Sequence, residues 1–367
     1  MNYNWQLPDW ANFIYDDTVI NALIIDFALE TGELKGLLAS QPAEIQQDTI
    51  LQFMITEALK TSEIEGEFFS RQDIISSLKK QLGIADSITH IKDKKSQGIA
   101  ALLVNARKSF RSKLTESALK GWHYDLMKGN AYINAGAYRT GKEPMQIISG
   151  AFGKEVVHFE APPSDQVPVE MKKFVRWYNS FETSGNDMKN IFIKTSIAHL
   201  YFESIHPFED GNGRIGRAIA EKCLSQSLGR PVLMSLSGTI EKNRKKYYNT
   251  LKYAQRTLDI TEWVLYFSNV ILESQKNAKQ VVLFTISKAK FLDTHKYQLN
   301  ERQVKAVMKM FDSGIAKFEG GMTSQKYVSI TKSSRATATR DLQDLVYKHI
   351  LIQKGEGRNV SYDLNIK

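Results

Sequence analysis

The sequence predicts a mostly α fold with a β-hairpin in its middle and a small α+β domain at its C-terminus. Three observations carry this. The first 80 or so residues place apolar side chains at helical spacing. Two β-branched runs, MQIIS and EVVHF, flank the glycine-containing SGAFGK and make the one good hairpin pattern in the first two-thirds. From about Tyr297 to Lys367, three short helical patterns are followed by two alternating runs around GEGRN.

The elements follow in order. VINALIIDFALETGELKGLL reads as one amphipathic helix and ILQFMITEALKTSEIEG as a second, stopped at Gly66, a natural residue just past a helix end. FSRQDIISSLKKQLGI is a third, with Ser70 as its N-cap. Residues 97–128 are again helical. The hairpin segment, with Gly141, Gly150 and Gly153, ends at Pro162–Pro163. Helices resume with VEMKKFVRWYNSF and KNIFIKTSIAHLYFESI, and another runs from about Arg214 to Leu228, where Gly229-Arg230-Pro231 stops it. Further helices reach about Gln280. LNERQVKAVMKMFD, MTSQKYVSIT and SSRATATRDLQDLVYKHI are the last three, before the terminal hairpin. The expected domains are an N-terminal helical region over 1–95, a catalytic core over 96–285 and a small domain over 290–367.

Composition bounds the function. The chain has 367 residues, 42% hydrophobic and 24% charged, near the average of a soluble globular protein and enough for real cores. Cys223 is the single cysteine, so no intramolecular disulfide can form. MNYNWQLPDWANF lacks the basic-then-apolar pattern of a signal peptide, and no run of 18 apolar residues occurs. The expected location is the cytoplasm, with no membrane partner. Formal net charge is +9, and from Lys288 onward 15 Lys/Arg face 8 Asp/Glu. That excess suits an acidic partner such as nucleic acid, and equally a plain solvated basic face.

HPFEDGNGRIGR, His206 to Arg217, lies between two long helical patterns. Pro207 pushes His206 out of the helix, toward an extended backbone, where its ring can accept a proton near neutral pH. Gly211 and Gly213 let backbone N–H groups approach a ligand, and they lead into a helix N-terminus, which favours phosphate. Arg214 and Arg217 share a helix face and can grip phosphate oxygens. Glu209 and Asp210 are hard oxygen ligands for Mg²⁺. A base, an anion cradle, two arginines and a carboxylate fit phosphate-transfer chemistry. On the residues alone, a capped helix start with a structural histidine is an equal reading.

The same stretch matches every fixed position of HPFx[DE]GNGRxxR, the motif of the Fic family. The chain resembles that family over nearly its whole length, as an all-helical Fic core with a hairpin flap, an N-terminal helical region and a C-terminal winged helix-turn-helix. The resemblance implies transfer of AMP from ATP to a Ser, Thr or Tyr hydroxyl of a target protein, with release of pyrophosphate. It implies that His206 is the base, that Asp210 holds Mg²⁺, and that Gly211, Asn212 and Gly213 form the anion hole. Arg214 would bind the β-phosphate region and Arg217 the γ-phosphate, so that the nucleotide-binding stretch runs through Ile215 and Gly216. Phe208 would be an apolar anchor, and Glu209 falls at a variable position. KKYYNTL resembles the stretch lining the base pocket, which marks Tyr248 and Asn249; paired tyrosines at a helix end are also ordinary packing. The flap would pair with an extended target segment.

TSEIEG, Thr61 to Gly66, fits the [ST]xxxE[GN] pattern of class II Fic proteins, in which a carboxylate occupies the second motif arginine. The resemblance implies that Glu65 pairs with Arg217 and inhibits the enzyme; Glu63 reads as a solvent-facing acid. It also leaves removal of AMP, use of another nucleotide, and homodimers as family alternatives. In the C-terminal segment, Ser333–Ser334 would start a recognition helix bearing Arg335, Thr337 and Arg340. That helix implies DNA binding, or contacts between proteins, and a regulator with secondary Fic activity is the competing function.

Overall fold

The computed structural model describes residues 2–84, 91–149, 156–183, 187–314 and 318–366. They form two compact units: Met1–Glu33 with Phe53–Ala278, and Leu34–Gln52 with Lys279–Lys367.

The first unit is built from helices. They are α1 (Asn21–Ala39), α2 (Ala43–Ile64), α3 (Arg71–Leu82), α4 (Lys95–Lys108), α5 (Glu116–Met127), α6 (Val167–Ser180), α7 (Met188–Ile205), α8 (Asn212–Ser227), α9 (Leu236–Lys242), α10 (Arg244–Ala254) and α11 (Thr261–His295). Of these, α1, α2 and α11 have residues in both units. None of the described helices is long and apolar enough to cross a membrane. At the centre, α7 packs along α8. Every residue of α7 from Ile191 to Ile205 is buried, because its apolar side chains occur all round the helix rather than on one stripe. Phe202, Ile205, Phe208, Ile215 and Ile219 share this core.

The one hairpin of this unit among the described residues is β1 (Gln146–Ser149) against β2 (Val156–Glu160), antiparallel, with Ile147 opposite Phe159 and a register irregularity between Ile147 and Ile148. The expected glycine-rich tip, 150–155, lies outside the described residues. The base of the hairpin is tied down by Trp5, whose Nε1 donates to the Glu160 carbonyl at 2.7 Å.

Two boundaries differ from the sequence reading. The helical run expected over 97–128 is broken between α4 and α5. The cause lies more than 100 residues away: the buried Lys222 ammonium on α8 donates to the carbonyls of Ser109, Phe110 and Ser112, which can accept it only because the helix has ended. The helix expected to stop near Gln280 continues as α11 to His295.

The second unit carries α12 (Glu301–Phe311), α13 (Ser324–Thr331), α14 (Arg335–Tyr347) and the hairpin β3 (Leu351–Lys354) with β4 (Ser361–Leu364). Met322 adds a bridge to Tyr362. Asn300, Thr323 and Ser334 cap the three helices, each accepting a first-turn N–H. Asp341 on α14 ties them together, accepting from Arg302 Nε and from Tyr327 Oη, both at 2.9 Å. Val307, Met310, Tyr327, Leu342, Leu345 and Ile350 fill the core beneath.

The end of α2 positions the site. Gly66 has φ +80°, its N–H bonds the Glu63 carbonyl, and the Glu67 N–H bonds the Ser62 carbonyl, which is a Schellman termination. Farther back, Glu57 pins the same helix to the start of α9, accepting from Ser235 Oγ at 2.6 Å and from the Ser237 N–H at 3.1 Å. A Cβ at Gly66 would meet nothing within 4 Å, so only the left-handed backbone resists substitution. Gly66→Ala is therefore expected to cost about 1 kcal/mol in urea unfolding; a neutral or stabilising result would contradict the termination described here.

Candidate active site

His206 ends α7. Its N–H still bonds the Phe202 carbonyl at 3.0 Å, and its backbone is left-handed at φ 48°, not extended as the proline rule suggested. Pro207 forbids a further helical residue, and the retained bond turns the chain back on itself instead of extending it. The turn presents the His206 carbonyl to Arg139, whose Nε donates to it at 2.8 Å. The same guanidinium holds the carbonyls of Pro162 and Ile205 and the hydroxyl of Ser164, so it fixes the base of the loop from three sides. Nothing in AYRTG singled out Arg139; only the fold gives it partners.

The loop itself is pinned from within. Phe208 is fully buried and stacks on His123 at 4.1 Å, the anchor role expected of it. Asn212 turns its side chain back, accepting from the Phe208 N–H and donating to the Phe208 carbonyl. Its amide therefore shapes the loop, and only its backbone N–H remains for an anion. Glu209 accepts from the Asn134 N–H at 3.1 Å and steadies the neighbouring loop.

At the start of α8, the N–H of Gly211, expected in the anion hole, is instead taken by the adjacent Asp210 Oδ1 at 2.5 Å, whereas among the described residues the N–H groups of Asn212, Gly213 and Arg214 meet no acceptor. Such groups carry the positive end of the helix dipole. A carboxylate fills the space beside them. A Cβ on Gly213 would fall 2.2 Å from Glu65 Oε1 and 3.1 Å from Arg217 Nη1. Arg217 is 1% exposed. Its Nη2 donates to Glu65 Oε1 at 2.7 Å and to the Thr61 carbonyl at 2.9 Å, and its Nε donates to Thr61 Oγ1 at 2.8 Å. The hydroxyl contact gives a physical reason for Ser or Thr at the first position of TSEIEG. Burial works against the Arg217 charge, yet the Glu65 carboxylate together with Tyr247 and Tyr248 more than offsets it and holds the guanidinium firmly protonated.

The other predicted residues fall as follows. Arg214 is nearly buried; Nη1 pairs with Glu67 and Nη2 lies 3.3 Å from Asp210 Oδ1. Asp210 is half exposed, at 52%. Ile215 is core, and Gly216 is backed by Glu203, whose Oε1 would lie 2.3 Å from a Cβ there. Tyr248 Oη donates to the Ile64 carbonyl at 3.3 Å, which ties α10 to the end of α2, while Asn249 is exposed. Glu63 does not face solvent freely: Lys60, on the same helix α2, pairs with it at 2.5 Å and with Glu241 on α9 at 3.3 Å.

Several buried polar atoms without a protein partner crowd this place: His206 Nδ1, Glu203 Oε1, His199 Nδ1, Arg214 Nε and Arg217 Nη1. Unsatisfied groups so close together mark a site shaped for a polar ligand. The cradle at Gly213 and the two arginines fit a phosphate chain. Asp210 fits a cation held chiefly by phosphates and water, since among the described residues no group of three or more His, Cys, Asp or Glu could hold a metal.

This helix–loop–helix site, with a hairpin beside it, defines a class of protein. Residues 113–224 match the Fic/DOC family, and residues 3–84 match a family described as a domain of unknown function (DUF4172). A Fic family protein from Desulfovibrio desulfuricans shares the fold at TM-score 0.52 and 19% identity, over 94% of this chain and 96% of that one. A Fic domain containing signaling protein from Bacteroides thetaiotaomicron does so at 0.52 and 21%, over 70% and 96%. Among curated proteins, a probable protein adenylyltransferase of Aquifex aeolicus is 29% identical over 218 residues, 51% of this chain and 61% of that protein. Protein adenylyltransferase Fic of Drosophila ananassae is 26% identical over 207 residues, 56% of this chain and 38% of that protein. The chain thus spans less than two thirds of either curated relative.

Burial sets the site's proton balance. His206 is pushed down to about 4 by burial and by the Arg139 charge, His123 to about 4 and His199 to about 3 chiefly by burial. Burial raises Glu203 to about 8 and Glu221 to about 7, with help from Glu65 and Glu57 respectively. The three histidines bind fewer protons folded than unfolded below their ordinary 6.5, so their contribution is lost as pH falls from there toward 4. The two glutamates bind more protons folded than unfolded, so theirs is lost as pH rises from 4.5 through 7 and 8. Melting temperature is expected to peak between about pH 6 and 7, and Glu203→Gln should flatten the alkaline side. A melting temperature still rising between about pH 6.5 and 7.5, below the range near 8 where the buried Lys222 ammonium titrates with the opposite sign, would contradict this balance.

Proposed function

We propose that the chain is a self-inhibited protein adenylyltransferase that transfers AMP from ATP to a Ser, Thr or Tyr hydroxyl of a protein. The observation that carries the proposal is the Glu65 carboxylate seated over Gly213 and on Arg217, where the motif would take phosphate. An acid in an anion cradle is a stand-in for the ligand, and one supplied by the chain itself makes the contact inhibitory. The contact supports the resemblance of TSEIEG to the inhibitory motif of class II Fic proteins.

In the reaction, His206 takes the proton of the target hydroxyl, whose oxygen forms the bond to the α-phosphorus. The bond to the bridging oxygen of the β-phosphate breaks, and pyrophosphate leaves. Neutral His206 is ready to accept that proton at pH 7, since burial holds its charged form down. Arg139 keeps the ring in place by fixing the loop carbonyls. Of the expected anion hole Gly211–Asn212–Gly213, the N–H groups of Asn212 and Gly213 steady the α-phosphate, while Arg214 takes the β-phosphate and Arg217 the γ-phosphate. Bound at Asp210, Mg²⁺ would neutralise charge on the phosphates. The exposed Ile148, Val156 and Val157 on the hairpin leave a strand surface for an extended target segment.

The second unit reads as a winged helix. α14 is the recognition helix, with Arg335 and Arg340 exposed and Thr337 half-buried, and β3–β4 is the wing. The basic excess after Lys288 supports DNA as one partner, and a cytoplasmic enzyme with a protein partner at this face is the other reading.

Glu65→Gly is expected to raise incorporation of label from α-labelled ATP by about tenfold or more, the scale of one charge-assisted contact, and His206→Ala to abolish it in either background. Equal labelling by wild type and Glu65→Gly would remove the self-inhibition. For the C-terminal unit, the full chain should retard a DNA fragment at low salt, and Arg335→Ala with Arg340→Ala should relieve that retardation and flatten its salt dependence. No retardation at low salt would leave the protein-contact reading.

A further inference from the structure

Glu65 is not the only acid that leaves the end of α2 toward the motif. Across Gly66, Glu67 pairs through Oε2 with Arg214 Nη1, and its Oε1 lies 3.3 Å from Lys95 Nζ at the start of α4. Arg214 and Arg217 are three residues apart on α8, and Glu67 and Glu65 are two apart about the Schellman turn. The reversal at Gly66 sends one acid to each arginine.

Two features separate this contact from an ordinary surface ion pair. The Arg214 side chain is 5% exposed, so its charge needs a partner. Its carboxylates are Glu67 and Asp210, and on the reading above Asp210 would turn to a cation when nucleotide binds. Second, Arg214 Nε is buried without a partner, so the guanidinium keeps a donor for another anion. Glu67, Lys95, Asp210 and Arg214 also line one cleft of about 350 Å³, which Lys94 and Lys128 flank, and which opens the arginine to a ligand.

We propose that Glu67 is a second determinant of nucleotide affinity: it occupies Arg214 in place of the β-phosphate, as Glu65 occupies Arg217 in place of the γ-phosphate. This rests on the nucleotide reading above and adds a separate lock to it. Each acid then masks one phosphate, and removing Glu65 alone leaves the β-phosphate arginine still engaged. Lys95, released with Glu67, supplies a further cation beside the same phosphate.

The test is calorimetric titration of the full chain with ADP and with AMP, in Mg²⁺, for wild type, Glu67→Ala, Glu67→Gln and Glu65→Gly. ADP carries the β-phosphate that Arg214 would hold, and AMP does not. Glu67→Ala is expected to tighten ADP about tenfold while leaving AMP unchanged, with Glu67→Gln between, since its amide oxygen still accepts from the guanidinium without the charge. Parallel change in ADP and AMP, no change in either, or weaker ADP binding would each overturn the role of Glu67. If neither nucleotide binds any form, Glu65→Gly included, the nucleotide reading itself fails.

Discussion

The structure turns on one buried guanidinium. Arg217 sits at 1% exposure on the central helix α8, and its charge is met by Thr61 and Glu65 at the end of α2. A buried cation stripped of its partner costs roughly 3–5 kcal/mol. The end of α2 therefore has to arrive at one place, and other features serve that arrival. Gly66 stops the helix just past the acid, Gly213 leaves room for the carboxylate, Glu57 fastens the helix upstream, and Tyr248 holds the Ile64 carbonyl. The same demand explains how such a contact can be released. A phosphate can replace the carboxylate without leaving the guanidinium bare, so exchange of one anion for the other avoids most of that cost.

Around this contact the chemistry is set by burial. His206 is kept neutral by desolvation and by Arg139, and Arg139 in turn fixes the loop through its carbonyls. The cradle at α8 offers N–H groups and two arginines, while the chain presents two acids of its own, Glu65 and Glu67. On the proposed reading the resting protein holds a full set of catalytic groups with the anion places taken. Inhibition then needs no distortion of the base or the loop, only occupancy, and activation needs only the withdrawal of one helix end.

Much of this was legible in the sequence, for local reasons. HPFEDGNGRIGR placed the loop, its histidine and the helix start, and TSEIEG placed the acid and the glycine after it. The caps at Ser70 and Ser334 and both hairpins followed from residue types a few positions apart. What stayed hidden depends on distant partners. The break between α4 and α5 is made by Lys222. The left-handed His206 reflects a retained helix bond and Arg139, where proline alone suggested an extended chain. Glu63 is drawn into a pair by Lys60, and the Asn212 amide is spent on Phe208. Glu67, an unremarked letter after the pattern, meets an arginine 147 positions away.

Relative affinity for ATP and ADP tests the central contact most directly. The two nucleotides differ by the γ-phosphate, which on the proposed reading Arg217 would hold only when Glu65 lets go. Wild type should bind them alike, with a ratio near one, and Glu65→Gly should favour ATP by about tenfold. The same ratio in both forms would contradict the account, since Arg217 would then be reading the γ-phosphate with Glu65 in place or never reading it.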